Sequence, residues 1–205
     1  MSEVKQLFGT PVCKTYLPEH YSSVINSFGK YEGDDRSDVA NYGHRTKNSY
    51  ILDEPQCHSL RDYILEQVRE YSYNSLGYDY SSYKMSQSWI SYKEPGQHHT
   101  MHTHPNSLIS GVFYFGPSDK KTPAIKFHNA RVGINAQQIK PSIRTGFNPD
   151  VMAVDFEAGM MVLFPSYLHH SVPINETNTV RCSLAFNVVP TVGFGDEGNL
   201  TELKF

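Results

Sequence analysis

The sequence predicts an α+β fold dominated by β, with helices in the N-terminal third packed on one sheet of a double-stranded β-helix, or jelly roll. Three observations predict it. Leu60, Ile64, Val68 and Tyr71 recur at helical spacing before residue 80. Beyond it, short β-rich runs follow one another with Gly- and Pro-containing turns between them. The chain has 205 residues, 39% hydrophobic and 19% charged, which is a globular composition. A chain of this length buries enough surface to need no disulfide staples.

The elements follow in order. Residues 10–17 alternate loosely and read as a strand. Pro18 suits the first position of a helix carrying Val24, Ile25 and Phe28. Residues 29–42, holding Gly, Asp and Ser, read as a loop, and 44–52 as a strand. Asp53 before Pro55 starts an amphipathic helix over 55–74, which Gly77 ends. Lys84 to Lys93 alternates, with Met85, Gln87, Trp89 and Ser91 on one face. Further strands are expected at Ser110–Phe115, Ala124–Phe127, Val151–Phe156, Met161–Phe164, His169–Pro173 and Val180–Val189. No linker divides the chain, so 1–205 reads as one domain: 1–80 as helical support, 81–190 as the β core, 191–205 as a tail. Five tyrosines from Tyr71 to Tyr83 read as helix-to-sheet packing. The polar stretch 130–148, with Arg131, Lys140 and Arg144, is long enough to be a lid or a plain surface loop.

Composition excludes several function classes. The longest apolar run, Met160 to Phe164, is too short to span a bilayer, which needs about 20 residues. Met1-Ser2-Glu3-Val4-Lys5 lacks the layout of a secretory leader. A net charge of −3 offers no basic field for nucleic acid. Three cysteines, an odd number with no CxxC, argue for a reduced, cytoplasmic protein without zinc-ribbon or thioredoxin chemistry.

The histidines carry the chemistry. His98, His99, His102 and His104 fall together, and His169 and His170 are adjacent. On an extended segment His102 and His104 point to one face and can share a metal ion. Alone, HxH is a weak signal, equally read as a surface cluster. The second pair lies in an apolar β segment, Phe164 to Pro173. If the turn after it is a hairpin centred between residues 175 and 176, His170 pairs with Arg181 at about 5 Å between Cβ atoms. Arg181 and Ser183 share a face, and an Arg in so apolar a strand needs an anionic partner, such as a ligand carboxylate.

Five segments together resemble the non-haem Fe(II)/2-oxoglutarate-dependent oxygenases, and within them a small bacterial and phage group allied to prolyl hydroxylases. They are Trp89 with Pro95-Gly96, His102-Thr103-His104-Pro105, Ser110 to Phe115, Leu163 to Pro173, and Arg181 to Asn187. They span residues 85–189, about half the chain. The resemblance implies a cytoplasmic dioxygenase that couples hydroxylation of a substrate to conversion of 2-oxoglutarate and O2 into succinate and CO2. It implies Fe(II) on His102, His104 and His170, no further catalytic side chain, and 2-oxoglutarate's far carboxylate on Arg181, Ser183 and Tyr114. A prolyl residue in a protein or peptide is one candidate substrate, by resemblance alone.

One departure matters: the wider superfamily has HxD or HxE, whereas His104 stands at the acid's position. Alternatives for the third ligand are His99 with His102, or an acid such as Asp119 or Glu157. His170 is preferred to His169 on its 11-residue gap to Arg181. Trp89 reads as core, Tyr92 as a candidate for the site mouth, His98 and His99 as a solvated loop, and His128 as a weak candidate for approach to the site. Two other readings stay open. One is a cupin-like three-His enzyme in which Arg181 binds substrate directly; the other is a non-enzymatic jelly-roll protein with structural zinc.

Overall fold

A computed structural model describes residues 3, 8–28, 33–35, 43–116, 123–129, 142–143, 145–155 and 157–205. The structure is mostly β, with two antiparallel sheets and few helices. In chain order the strands are β1 Cys13–Tyr16, β2 Gly33–Asp35, β3 His44–Thr46, β4 Tyr83–Lys93, β5 His99–His102 and β6 Ile109–Phe115. They continue as β7 Pro123–His128, β8 Val151–Asp155, β9 Met160–Pro165, β10 His170–Val172 and β11 Arg181–Pro190. The helices are α1 Ser22–Ser27 and α2 His58–Tyr71.

The larger sheet runs β1-β9-β6-β11-β4-β3-β2 and the smaller one β5-β10-β7-β8. Each face of the larger sheet has its own apolar layer. On one side α2 lays Leu60, Ile64, Val68 and Tyr71 against Ile90, Phe113, Leu163, Leu184 and Phe186. On the other, Val112, Tyr114, Met160, Val162 and Phe164 meet Ile125 and Phe127 of the smaller sheet. This explains why β9 is apolar without alternation: every one of its residues is buried, as strands covered on both faces require.

The helix expected over 55–74 is a 3-10 turn, then α2, then a π turn Ser72–Leu76. Gly77 closes it at φ 72°, the left-handed conformation that glycine adopts without strain. The strand expected over 44–52 ends early. The Asn48 side chain accepts a hydrogen bond from Tyr50 N at 2.8 Å, a local turn that competes with the sheet ladder. The chain then enters a 3-10 turn that buries Ile51 and Leu52. β2 lies within the expected loop 29–42, whose other residues are outside the described set, as are Asp119, Arg131, Lys140 and Arg144. Met85 also departs from its expected face. Between Asn187 and Val188 the β11–β4 register skips Ser86, and this bulge turns Met85 to the helix-side layer while Gln87 faces the other sheet.

The tight hairpin expected between His170 and Arg181 does not form. His170 pairs with His102 and Phe127 in the smaller sheet, whereas Arg181 pairs with Lys93 in the larger. The connection crosses between sheets and is anchored by Asn175, whose Nδ2 donates to Lys93 O and Thr179 O, each at 2.8 Å. The Asn175 backbone continues the anchor, bonding Gly96 N and Gln97 O.

Among the described residues no helix is long and apolar enough to cross a membrane.

Candidate metal and cofactor site

The two sheets enclose a cavity of about 370 Å³. Its floor is the inward face of β6, β11 and β4, and its far wall carries the histidines. Cross-strand register arranges the floor in rungs. Arg181 lies beside Lys93, then Tyr114 beside Ser183 beside Ser91, then Val112 beside Ala185 beside Trp89.

His102, His104 and His170 converge there, each offering a ring nitrogen within 4.8 Å of the others. Three separate devices place them. His102 ends β5 and sits directly across from His170, with ring centroids 4.3 Å apart. His104 lies just past the strand, held by its backbone N donating to Ser166 O at 3.0 Å. The β10 alternation points His170 inward. The ring Nδ1 of His102 lies 2.8 Å from Thr100 O, and that of His170 lies 2.8 Å from Leu168 O. A carbonyl oxygen only accepts, so both Nδ1 atoms carry the proton. That leaves each Nε2 lone pair for a cation, the arrangement that orients metal-binding imidazoles.

Burial keeps the rings neutral. It pushes His170 down to about 3 and His104 to about 4, with the neighbouring His102 adding to both. His102 is lowered by the same desolvation. Three neutral imidazoles with free lone pairs suit a divalent transition metal such as iron.

Arg181 is buried at 5% exposure. Its guanidinium lies 5.1 Å over the wholly buried Tyr114 ring. Burial lowers the Arg181 pKa and raises that of Tyr114, and a hydrogen bond between the two opposes both shifts. Ser183 lines the same wall one rung away. Among the described residues that line the cavity none is acidic. Glu94 stands outside that lining, exposed and 3.8 Å from His44.

The structure therefore brings His102, His104, His170, Tyr114, Arg181 and Ser183 into one cavity. The other candidates sort differently. Glu157 lies at the surface, where Lys14 and Tyr16 bond its carboxylate, so it is no third ligand. His99 lines the cavity and stacks on His102 at 4.2 Å; the expected solvated loop is instead the start of β5. Trp89 also lines the cavity, 6.0 Å from the His104 ring, because its strand parity faces it away from the helix-side core. Tyr92 has the opposite parity and donates to Phe28 O on the helix side. His128 bonds Ser171 Oγ at 2.8 Å outside the cavity lining, and His169 points away from His170. Sequence reasoning missed Lys93 and Arg45. Lys93 was findable, since it continues the Gln87, Trp89, Ser91 alternation. Arg45 carried no signal, because only strand pairing brings β3 beside β4.

No curated protein matches the sequence significantly. Solved structures give the fold. A 2OG-Fe(II) oxygenase family oxidoreductase from Burkholderia pseudomallei is 13% identical over 86% of this chain and 84% of its own, with a TM-score of 0.58. HygX from Streptomyces hygroscopicus, solved with nickel, 2-oxoglutarate and hygromycin B, is 14% identical over 89% and 84%, at 0.63. A prolyl-4-hydroxylase from Pseudomonas putida is 15% identical over 87% and 92%, at 0.55. Residues 87–187 match the family model described as "Putative 2OG-Fe(II) oxygenase", a stretch that holds the whole histidine cluster and Arg181. By that match residues 87–187 are a 2OG-Fe(II) oxygenase domain, of a family that depends on Fe(II) and 2-oxoglutarate.

Proposed function

We propose that the chain hydroxylates a C–H bond of its substrate, with His102, His104 and His170 holding Fe(II). Arg181, Ser183 and Tyr114 hold the far carboxylate of 2-oxoglutarate. The carrying observation is the pairing in one cavity of three converging imidazoles, two of which turn Nε2 inward through Nδ1–carbonyl contacts, with a buried guanidinium and no acid in the described lining. On this reading the two sheets are the halves of a double-stranded β-helix, and residues 1–205 act as one oxygenase domain.

When bound, iron and 2-oxoglutarate supply the oxidising chemistry, and the cosubstrate leaves as succinate and CO2. The protein's residues do the rest. The carbonyls of Thr100 and Leu168 fix two imidazoles in tautomer and angle. Arg181 offers a planar fork to a carboxylate, with the Tyr114 ring 5.1 Å away as its support. Val112, Ala185 and Trp89 keep an apolar rung beside the metal position, which limits water there.

The resemblance to prolyl hydroxylases offers a prolyl residue as one candidate substrate, beside free amino acids and other small molecules. The reaction is tested by aerobic incubation with Fe(II) and 2-oxoglutarate. Slow succinate formation is expected without added substrate, and it should vanish in His170→Ala. Absence of 2-oxoglutarate binding to the metal-loaded wild type would leave the cupin-like reading.

A further inference from the structure

We infer that the substrate is a small carboxylic acid, whose carboxylate is received by Arg45 at the β3 edge of the cavity while its carbon body lies over Trp89. This rests on the proposed site and deepens it.

The first observation is position. Arg45 is the register partner of Ser91, which pairs with Ser183, which pairs with Tyr114. One polar rung thus runs across four strands, from Tyr114 to Arg45. The proposed cosubstrate anchor sits at one end and a second guanidinium at the other. Two strand spacings separate Arg45 from Ser183, about 10 Å. One 2-oxoglutarate, already tied to the metal, does not serve both ends.

The second observation is the state of Arg45. Its Nη1 donates to Ser49 Oγ at 2.7 Å, which fixes the group against the turn after β3. Its Nε is buried and has no hydrogen-bond partner among the described residues. A buried donor left unsatisfied is costly, and a carboxylate meets a guanidinium edge with two parallel hydrogen bonds. On its other side Arg45 is the backbone register partner of Asp34 in β2.

The third observation is charge. Fe(II) on neutral imidazoles and the 2-oxoglutarate dianion cancel formally. The superfamily's acidic ligand would have added one negative charge, and His104 does not. Arg181 faces the far carboxylate, and Arg45 then adds positive charge to a cavity whose described lining holds no acid. One substrate carboxylate offsets the charge of Arg45. Between Arg45 and the histidines the wall is Trp89, 6.0 Å from His104, which gives the carbon body an apolar seat near the reacting position.

Trp89 also supplies the readout, as the chain's single tryptophan. Zn(II)-loaded protein saturated with 2-oxoglutarate is titrated with cyclohexanecarboxylate and, separately, with cyclohexanecarboxamide, following Trp89 fluorescence. The acid should bind at least tenfold tighter than the amide. Arg45→Gln should abolish that preference while 2-oxoglutarate affinity, measured by calorimetry, stays within twofold. If Arg45→Gln does not fold, Arg45→Lys keeps the charge and loses the fork, and severalfold weaker acid binding is expected. Equal binding of acid and amide by the wild type, no binding of the acid, or a preference that survives Arg45→Gln overturns the inference. Failure of the wild type to bind 2-oxoglutarate instead strikes the proposed function. The acid–amide comparison on Zn(II)-loaded protein without 2-oxoglutarate then decides the Arg45 site separately.

Discussion

The histidine residues show how neighbouring side chains of one type divide their work. His102 and His170 bond backbone carbonyls through Nδ1, so removing either should strip most bound metal. His98→Ala should keep it; metal analysis of the three purified variants, with full occupancy in His102→Ala as the failing result, checks this. At Arg181, Lys preserves charge but loses the planar fork. Arg181→Lys should weaken 2-oxoglutarate binding by about 1 to 3 kcal/mol, and Ser183→Ala by less. Anaerobic calorimetry of the metal-loaded proteins reads both, and equal affinities would move the carboxylate elsewhere. Burial also links the imidazoles to pH. The folded metal-free protein keeps His170 and His104 neutral down to about 3 and 4, whereas the unfolded chain protonates them near 6.5. Their contribution is therefore complete above about pH 6.5 and is lost as pH falls through the interval below. The melting temperature of metal-free protein should drop between pH 7 and pH 5; a flat profile contradicts these shifts.

At the scale of elements, β6 and β11 decide how closely the layers meet. A Cβ at Gly111 would stand 2.2 Å from Phe186 Cζ and 2.8 Å from Leu163 Cδ2. Phe186 is wholly buried and has little room to retreat. Gly111→Ala should cost about 1 to 3 kcal/mol as an overpacked core does. Gly146→Ala, where a Cβ meets nothing within 4 Å, should be nearly neutral. Denaturant unfolding of the pair checks the contrast. The same elements explain the errors of sequence reading. The bulge at Ser86 breaks the period-2 alternation that set Met85 beside Gln87, and nothing in the residues there announces it. The segment 173–180 has hairpin length and turn residues, yet Asn175 bonds carbonyls on both sides of the gap and carries the chain between sheets.

The whole molecule is a larger sheet faced by helices on one side and by a smaller sheet on the other, with the site in the second gap. His102 and His170 face each other across the edge pairing of the smaller sheet and His104 lies just past β5, so a bound metal ties β5 to β10. Metal at 100 times its dissociation constant should add about 2.7 kcal/mol of stability. For a chain of this size that raises the melting temperature by roughly 5–10 °C. 2-Oxoglutarate should add a further rise only when metal is present, since one arm of it needs the metal and the other Arg181. Thermal scans with chelator, with Zn(II), and with Zn(II) plus 2-oxoglutarate read this order.

The sequence by itself determined the apolar stripe of α2, the apolar strand at β9, and the candidates His102, His104, His170 and Arg181. Each is encoded locally, by period, by an unbroken apolar run, or by a residue type too polar for its strand. Only the tertiary structure decided which of these meet. Pairing of β10 with β5 set His170 against His102, and sheet order set Arg45 on the rung of Ser183. It also turned Trp89 from core to cavity wall, because the face that a strand residue presents depends on which layer lies on each side of the sheet.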